Sequence, residues 1–203
     1  KPIAATGRLN LNVLRFPAVK PLIAGYSLHS AELFSSRVWV PSFLAMILLS
    51  RGYSVESAAV TAATTAGIAF AVGSLGPVMG GAFSDRIGRV RAAVIIFAMS
   101  GALAATFGWL GEASWGFIVF MAIVYSWTVG ADSAVYTTAI TEAVPRRILG
   151  SALALQGFVG IAAGAVTPVL FGVILDLAPS RLEWGVGFSA VAALAVVAVA
   201  MLL

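Results

Sequence analysis

Hydrophobic positions fill six long blocks, separated by short polar stretches. The blocks cover roughly residues 21–49, 55–83, 92–110, 115–143, 148–175 and 184–203. A helix rises about 1.5 Å per residue, so about 20 residues cross a hydrocarbon layer of roughly 30 Å, and each block is long enough. The blocks are apolar all round and show no two-residue alternation, which excludes barrel strands. The pattern predicts an all-α polytopic membrane protein with six transmembrane helices. Residues 1–20 stand apart as a polar lead-in carrying Lys1, Arg8, Arg15 and Lys20, too polar for the apolar core of a signal peptide. The chain opens on Lys1 and stops at Leu203 within an apolar run, so it is expected to be a piece of a longer protein.

Composition sharpens this picture. Apolar residues make up 61% and charged residues 10%, against about a quarter charged in soluble domains. With no Cys, one His and eight acids, no thiolate site, metal centre or cofactor is expected. A basic chain often binds nucleic acid, but here the cations sit in loops between spans, so no nucleic acid is expected and the loops report topology instead. Lys1, Arg8, Arg15, Lys20, Arg86, Arg89, Arg91, Arg146 and Arg147 fall on one side, nine of the 12 basic residues; Arg51 and Arg181 fall on the other, and Arg37 lies inside the first span. This asymmetry predicts that both ends of the six-helix unit are cytoplasmic. Trp109, Trp115 and Trp184 then fall at the outer interface.

The chain repeats itself. Gly73, Pro77-Val78, Gly81 and Asp85 in the second block match Gly164, Pro168-Val169, Gly172 and Asp176 in the fifth, a G-x3-P-V-x2-G-x3-D pattern displaced by 91 residues (73 to 164). The second and fifth helices cross in opposite directions, so the copies form an inverted three-plus-three repeat, an architecture of transporters.

After the second block the chain reads Gly81-Ala82-Phe83-Ser84-Asp85-Arg86-Ile87-Gly88-Arg89-Val90-Arg91. Gly81 would allow close helix approach, Gly88 a tight turn, and Asp85 could cap a helix or pair with a guanidinium. Positive-inside charge would account for the arginines but not for the Asp and the two glycines. The segment resembles the signature loop of the major facilitator superfamily, G-x3-D-R-x-G-R-x-R. Glu142-Ala143-Val144-Pro145-Arg146-Arg147-Ile148-Leu149-Gly150 is similar to a second loop segment of that superfamily, with the Gly displaced. The resemblance spans nearly the whole chain. It implies a secondary transporter of a small solute rather than an enzyme, working by alternating access in a lipid bilayer, in a bacterial inner membrane. The six helices would be helices seven to twelve of twelve, residues 1–20 the end of a central cytoplasmic loop, and an N-terminal six-helix half the partner. Asp85, Arg86 or Arg89 is expected to contact a neighbouring helix end, with Glu142 as the acid.

Ionisable groups inside spans cost about 2.5–3.5 kcal/mol each at mid-membrane and call for a reason. The first span holds His29, Glu32 and Arg37, with Glu32, Ser36, Trp39 and Phe43 at helical spacing. Arg37 lies about 140° from Glu32 in projection. The fourth span holds Tyr125, Thr128, Asp132 and Tyr136, also at helical spacing. The resemblance implies that these two helices line the solute cavity, making His29, Glu32, Arg37, Trp39, Tyr125, Asp132 and Tyr136 its candidate residues. Asp132 could be the partner of Arg37, a protonation site, or both. Two acids and one guanidinium leave a negative charge over while His29 is neutral. The acid that Arg37 prefers would stay ionised and the other, Glu32 or Asp132, would carry a coupling proton. Fixed structural pairs are the competing explanation. An intramembrane serine protease would need an activated Ser before a later His, a channel would need a filter ring, and a non-transporting scaffold would need neither; no protease, filter or ATP-binding motif is present.

Overall fold

A computed structural model describes residues 9–203. The described residues form eight α-helices and two short 3-10 turns: η1 (Leu11–Arg15), α1 (Val19–Ser50), α2 (Val55–Gly73), α3 (Gly76–Ile87), α4 (Arg89–Phe107), α5 (Trp115–Ala131), α6 (Ser133–Ala143), η2 (Arg146–Ile148), α7 (Leu149–Leu177) and α8 (Glu183–Leu202). They make six membrane-length helical spans, because α2 with α3 and α5 with α6 each form one crossing. The predicted blocks are matched in number and order, but the second and fourth spans are interrupted. The first interruption lies at Ser74-Leu75, just before Gly76-Pro77. Proline lacks an amide donor, and its ring clashes with the carbonyl four residues back, which interrupts the ladder there. The second interruption is the single residue Asp132. Pro41 and Pro168 sit inside unbroken helices.

Packing follows the inverted repeat. Exchanging the first three spans for the last three maps one set of neighbours onto the other. The first span packs on the fifth as the fourth packs on the second, and the first meets the sixth as the fourth meets the third. The third and sixth spans pair with each other. Lipid offers no hydrophobic force between helices, so close backbone approach through small residues does the holding. Gly80 lies against the backbone of Ala131, where a Cβ would collide. On the symmetry-related side, a Cβ at Gly160 would come 2.5 Å from the Tyr26 ring and one at Gly164 2.8 Å from the Phe34 ring. The close-approach role expected of Gly81 therefore belongs to Gly80; Gly81 has nothing within 4 Å of its Cβ position.

Two apolar cores stack along the bundle. One lies towards the α1 C-terminus and joins Phe43, Phe107, Tyr125, Phe171 and Phe188. Trp39 stacks on Phe171 with centroids 5.1 Å apart, and Trp184 tilts against Phe43 at 5.3 Å. Trp184, expected at the interface, is thus partly buried in this core. The other lies towards the α1 N-terminus and joins Val13, Val19, Ile23, Ala92, Tyr136, Ile140 and Ala152.

Candidate functional site

Between the two cores lies a buried polar cluster. His29 and Glu32, one turn apart on α1, both point into the bundle. Asp132, the residue that separates α5 from α6, meets His29 with its Oδ1 2.8 Å from Nδ1. A carboxylate only accepts, so Nδ1 carries the proton and donates. The other ring nitrogen, Nε2, lies 2.8 Å from Ser133 Oγ. In the neutral ring Nε2 accepts from that hydroxyl; in the imidazolium both nitrogens donate and the hydroxyl turns to accept. His29 can therefore gain or lose a proton without breaking either contact. The rings of Tyr26 and Tyr136 flank it at 5.7 and 6.1 Å.

Glu32 is held differently. Ser100 Oγ on α4 donates to Oε1 at 2.5 Å, and Oε2 has no hydrogen-bond partner among the described residues. The Tyr125 and Tyr136 hydroxyls and Asp132 Oδ2 are likewise buried without a partner among them. His29, Glu32 and Asp132 are each at most 2% exposed. Of the two buried acids, Asp132 faces a basic ring while no cation among the described residues forms an ion pair with Glu32.

The sequence-predicted set separates here. His29, Glu32, Tyr125, Asp132 and Tyr136 come together. Arg37 does not join them and is not the partner of Asp132 or Glu32: it sits on the exposed side of α1, its guanidinium carbon 4.2 Å from the centroid of the Phe70 ring on α2. It lies nearly opposite Glu32 around the helix, so it cannot reach the acids inside. Trp39 is also outside the cluster, its Nε1 donating to the Pro168 carbonyl at 2.9 Å. Ser100 and Ser133 are contacts the sequence reading missed. Ser100 had a signal, as the hydroxyl nearest the middle of the third block, and Ser133 had its adjacency to Asp132.

A second constellation closes the basic end of the bundle. Gly88, at φ +93°, makes the turn between α3 and α4 in a conformation that favours glycine. Arg89 then reaches three ways. Its Nε and Nη2 donate to Glu142 at the end of α6, at 3.2 and 2.8 Å, and its Nη1 donates to Asp85 and, at 2.6 Å, to Ser84 Oγ. The expected latch is present, with Arg89 as its centre. Arg86 and Arg91 are exposed and make no ion pair among the described residues.

This latch, set in six paired spans, is what the signature loop implied, and the sequence profile of the Major Facilitator Superfamily matches residues 18–203. The chain belongs to the major facilitator superfamily. No curated protein and no solved structure matches it. As a major facilitator chain it is an integral membrane protein of a transporter family. Gly81, Asp85, Arg86, Gly88, Arg89 and Arg91 lie within the matched residues.

Proposed function

We propose that this chain is the C-terminal half of a twelve-helix secondary transporter that moves a small solute by alternating access, coupled to protons. Glu32 carries the proposal: it is a fully buried carboxyl at the centre of the inverted repeat, with one hydroxyl donor and no counterion among the described residues. A buried charge without a counterion is costly, so a site of this kind exchanges a proton when access to water changes. Asp132 is the stationary acid, matched by His29. The hydroxyls of Tyr125 and Tyr136, without a partner among the described residues, are the groups a polar solute would engage. A partner half is supported by the second and fifth spans, which are apolar yet only 28% and 17% buried over their most apolar stretches, against 39–56% for the others.

Proteoliposomes holding the intact transporter test this. Solute-dependent proton uptake and solute exchange are measured for Glu32→Gln and Asp132→Asn. Glu32→Gln should abolish proton uptake and uphill transport while exchange continues. If Glu32→Gln still accumulates solute uphill with the wild-type pH dependence, Glu32 does not carry the proton.

A further inference from the structure

At the basic end, outside the polar cluster and the latch, two arginines from separate segments face one cavity. The cavity, about 580 Å³, is lined by Asn10, Asn12, Arg15, Phe16, Pro17 and Arg147 among others. It is formed by the lead-in folding back on the turn before α7. Val13 of η1 is completely buried in the adjacent apolar core, and the Asn10 amide donates to Ser151 Oγ on α7 at 3.0 Å. These two anchors hold η1 in place, so Arg15 lines the same cavity as Arg147. Among the described residues no acid lines the cavity and neither arginine forms an ion pair. Arg89 of the same end is, by contrast, matched by two carboxylates.

We propose that this cavity is a binding site for a phosphate group. Two guanidiniums supply forked donors suited to phosphate oxygens, and the Asn10 and Asn12 side chains add neutral donors. Phe16 and Pro17 give the site an apolar wall beside its charged one. That combination fits a phosphate attached to a glycerol backbone at the membrane surface, and inorganic phosphate offers the same oxygens. Cations at such a surface already attract anionic lipid, and a formed cavity adds selectivity for headgroup over bulk charge.

The test measures the melting temperature of the purified intact transporter in detergent as three additions are titrated: phosphatidylglycerol, phosphatidylcholine, and inorganic phosphate with sulfate as its comparison. Phosphatidylglycerol should raise the melting temperature of the wild type well beyond phosphatidylcholine. Arg15→Gln and Arg147→Gln should each weaken that effect roughly tenfold in lipid concentration, the loss of a charge-assisted contact. Arg146→Gln removes an equal charge from the same turn but not from the cavity lining, and should respond as wild type. A comparable rise with inorganic phosphate, lost in the same variants, would identify the soluble anion as occupant. Should a Gln variant melt low without any addition, Arg15→Lys and Arg147→Lys keep the charge and lose the fork, and binding should still weaken. Equal responses of wild type and all cavity variants, or an Arg146→Gln loss as large as theirs, would overturn the proposal.

Discussion

At the scale of single residues, the buried site is decided by who faces whom. His29 and Asp132 stabilise each other only as a pair, because each alone is a polar group at most 2% exposed. Removing one member of a buried pair costs about 3–5 kcal/mol, while removing both costs far less. We therefore expect His29→Ala to lower thermal stability more than the double variant His29→Ala/Asp132→Asn, with a coupling of about 0.5–3 kcal/mol. Additive losses in the melting curves would show that the pair does not stabilise the fold. Much of this site was legible in the chain: mid-span His29, Glu32 and Asp132 announce themselves because charge in lipid is costly. Their pairing was not legible. Helical projection separates Arg37 from Glu32 but leaves it open as a partner for Asp132, because nothing in a linear sequence gives the rotation of one helix against another. The Ser100 and Ser133 contacts depend on that same rotation.

At the scale of elements, the chain's apolar blocks specify how many helices cross, and its small residues specify how close they come. The interruptions at Ser74-Leu75 and Asp132 escape a hydropathy reading, since over a span-length stretch Ser74, Gly76 and Pro77, or Asp132 and Ser133, are averaged with the apolar residues on either side. The neighbouring glycines Gly80 and Gly81 separate packing from loop chemistry. In α3, Gly80 faces the Ala131 backbone, and Gly81, one residue and about 100° further round, faces open space. Gly80→Ala should destabilise by about 1–3 kcal/mol or more, because backbone cannot move aside as a side chain can. Gly81→Ala should stay within about 1 kcal/mol of wild type, and the better helix propensity of Ala favours it. Thermal unfolding in one detergent compares the two; equal losses would mean that the α3–α5 contact is not set by Gly80. A Gly81→Ala variant with wild-type stability but impaired transport would place the motif's glycine against a surface outside this chain.

At the scale of the whole molecule, the inverted repeat and the charge distribution make one claim about orientation. The symmetry exchanges the ends of the spans, so Asp85 and Asp176 close their helices at opposite faces of the bundle. Geometry alone would make those faces equivalent, and it is charge that breaks the equivalence. Arg15, Lys20, Arg86, Arg89, Arg91, Arg146 and Arg147 gather at one face, while Arg51 and Arg181 stand at the other. There, Arg51 is occupied by the carbonyls of Gly111 and Ala113 at 3.1 and 2.5 Å, which ties the first outer turn to the second. Positive charge is retained in the cytoplasm during insertion, so the basic face should be the inner one. The chain has no Cys, which makes single reporters clean. Ser84 would report poorly, being buried beneath Arg89, whereas Tyr53 and Arg146 are exposed at opposite faces. In intact cells, Tyr53→Cys should react with a membrane-impermeant maleimide, and Arg146→Cys should react only after permeabilisation. Reaction of both from one side would contradict the six-crossing topology and with it the antiparallel repeats. Reaction with the sides exchanged would keep the repeats and overturn the orientation, because the packing of the two triplets is indifferent to which face is inside and the loop arginines are not.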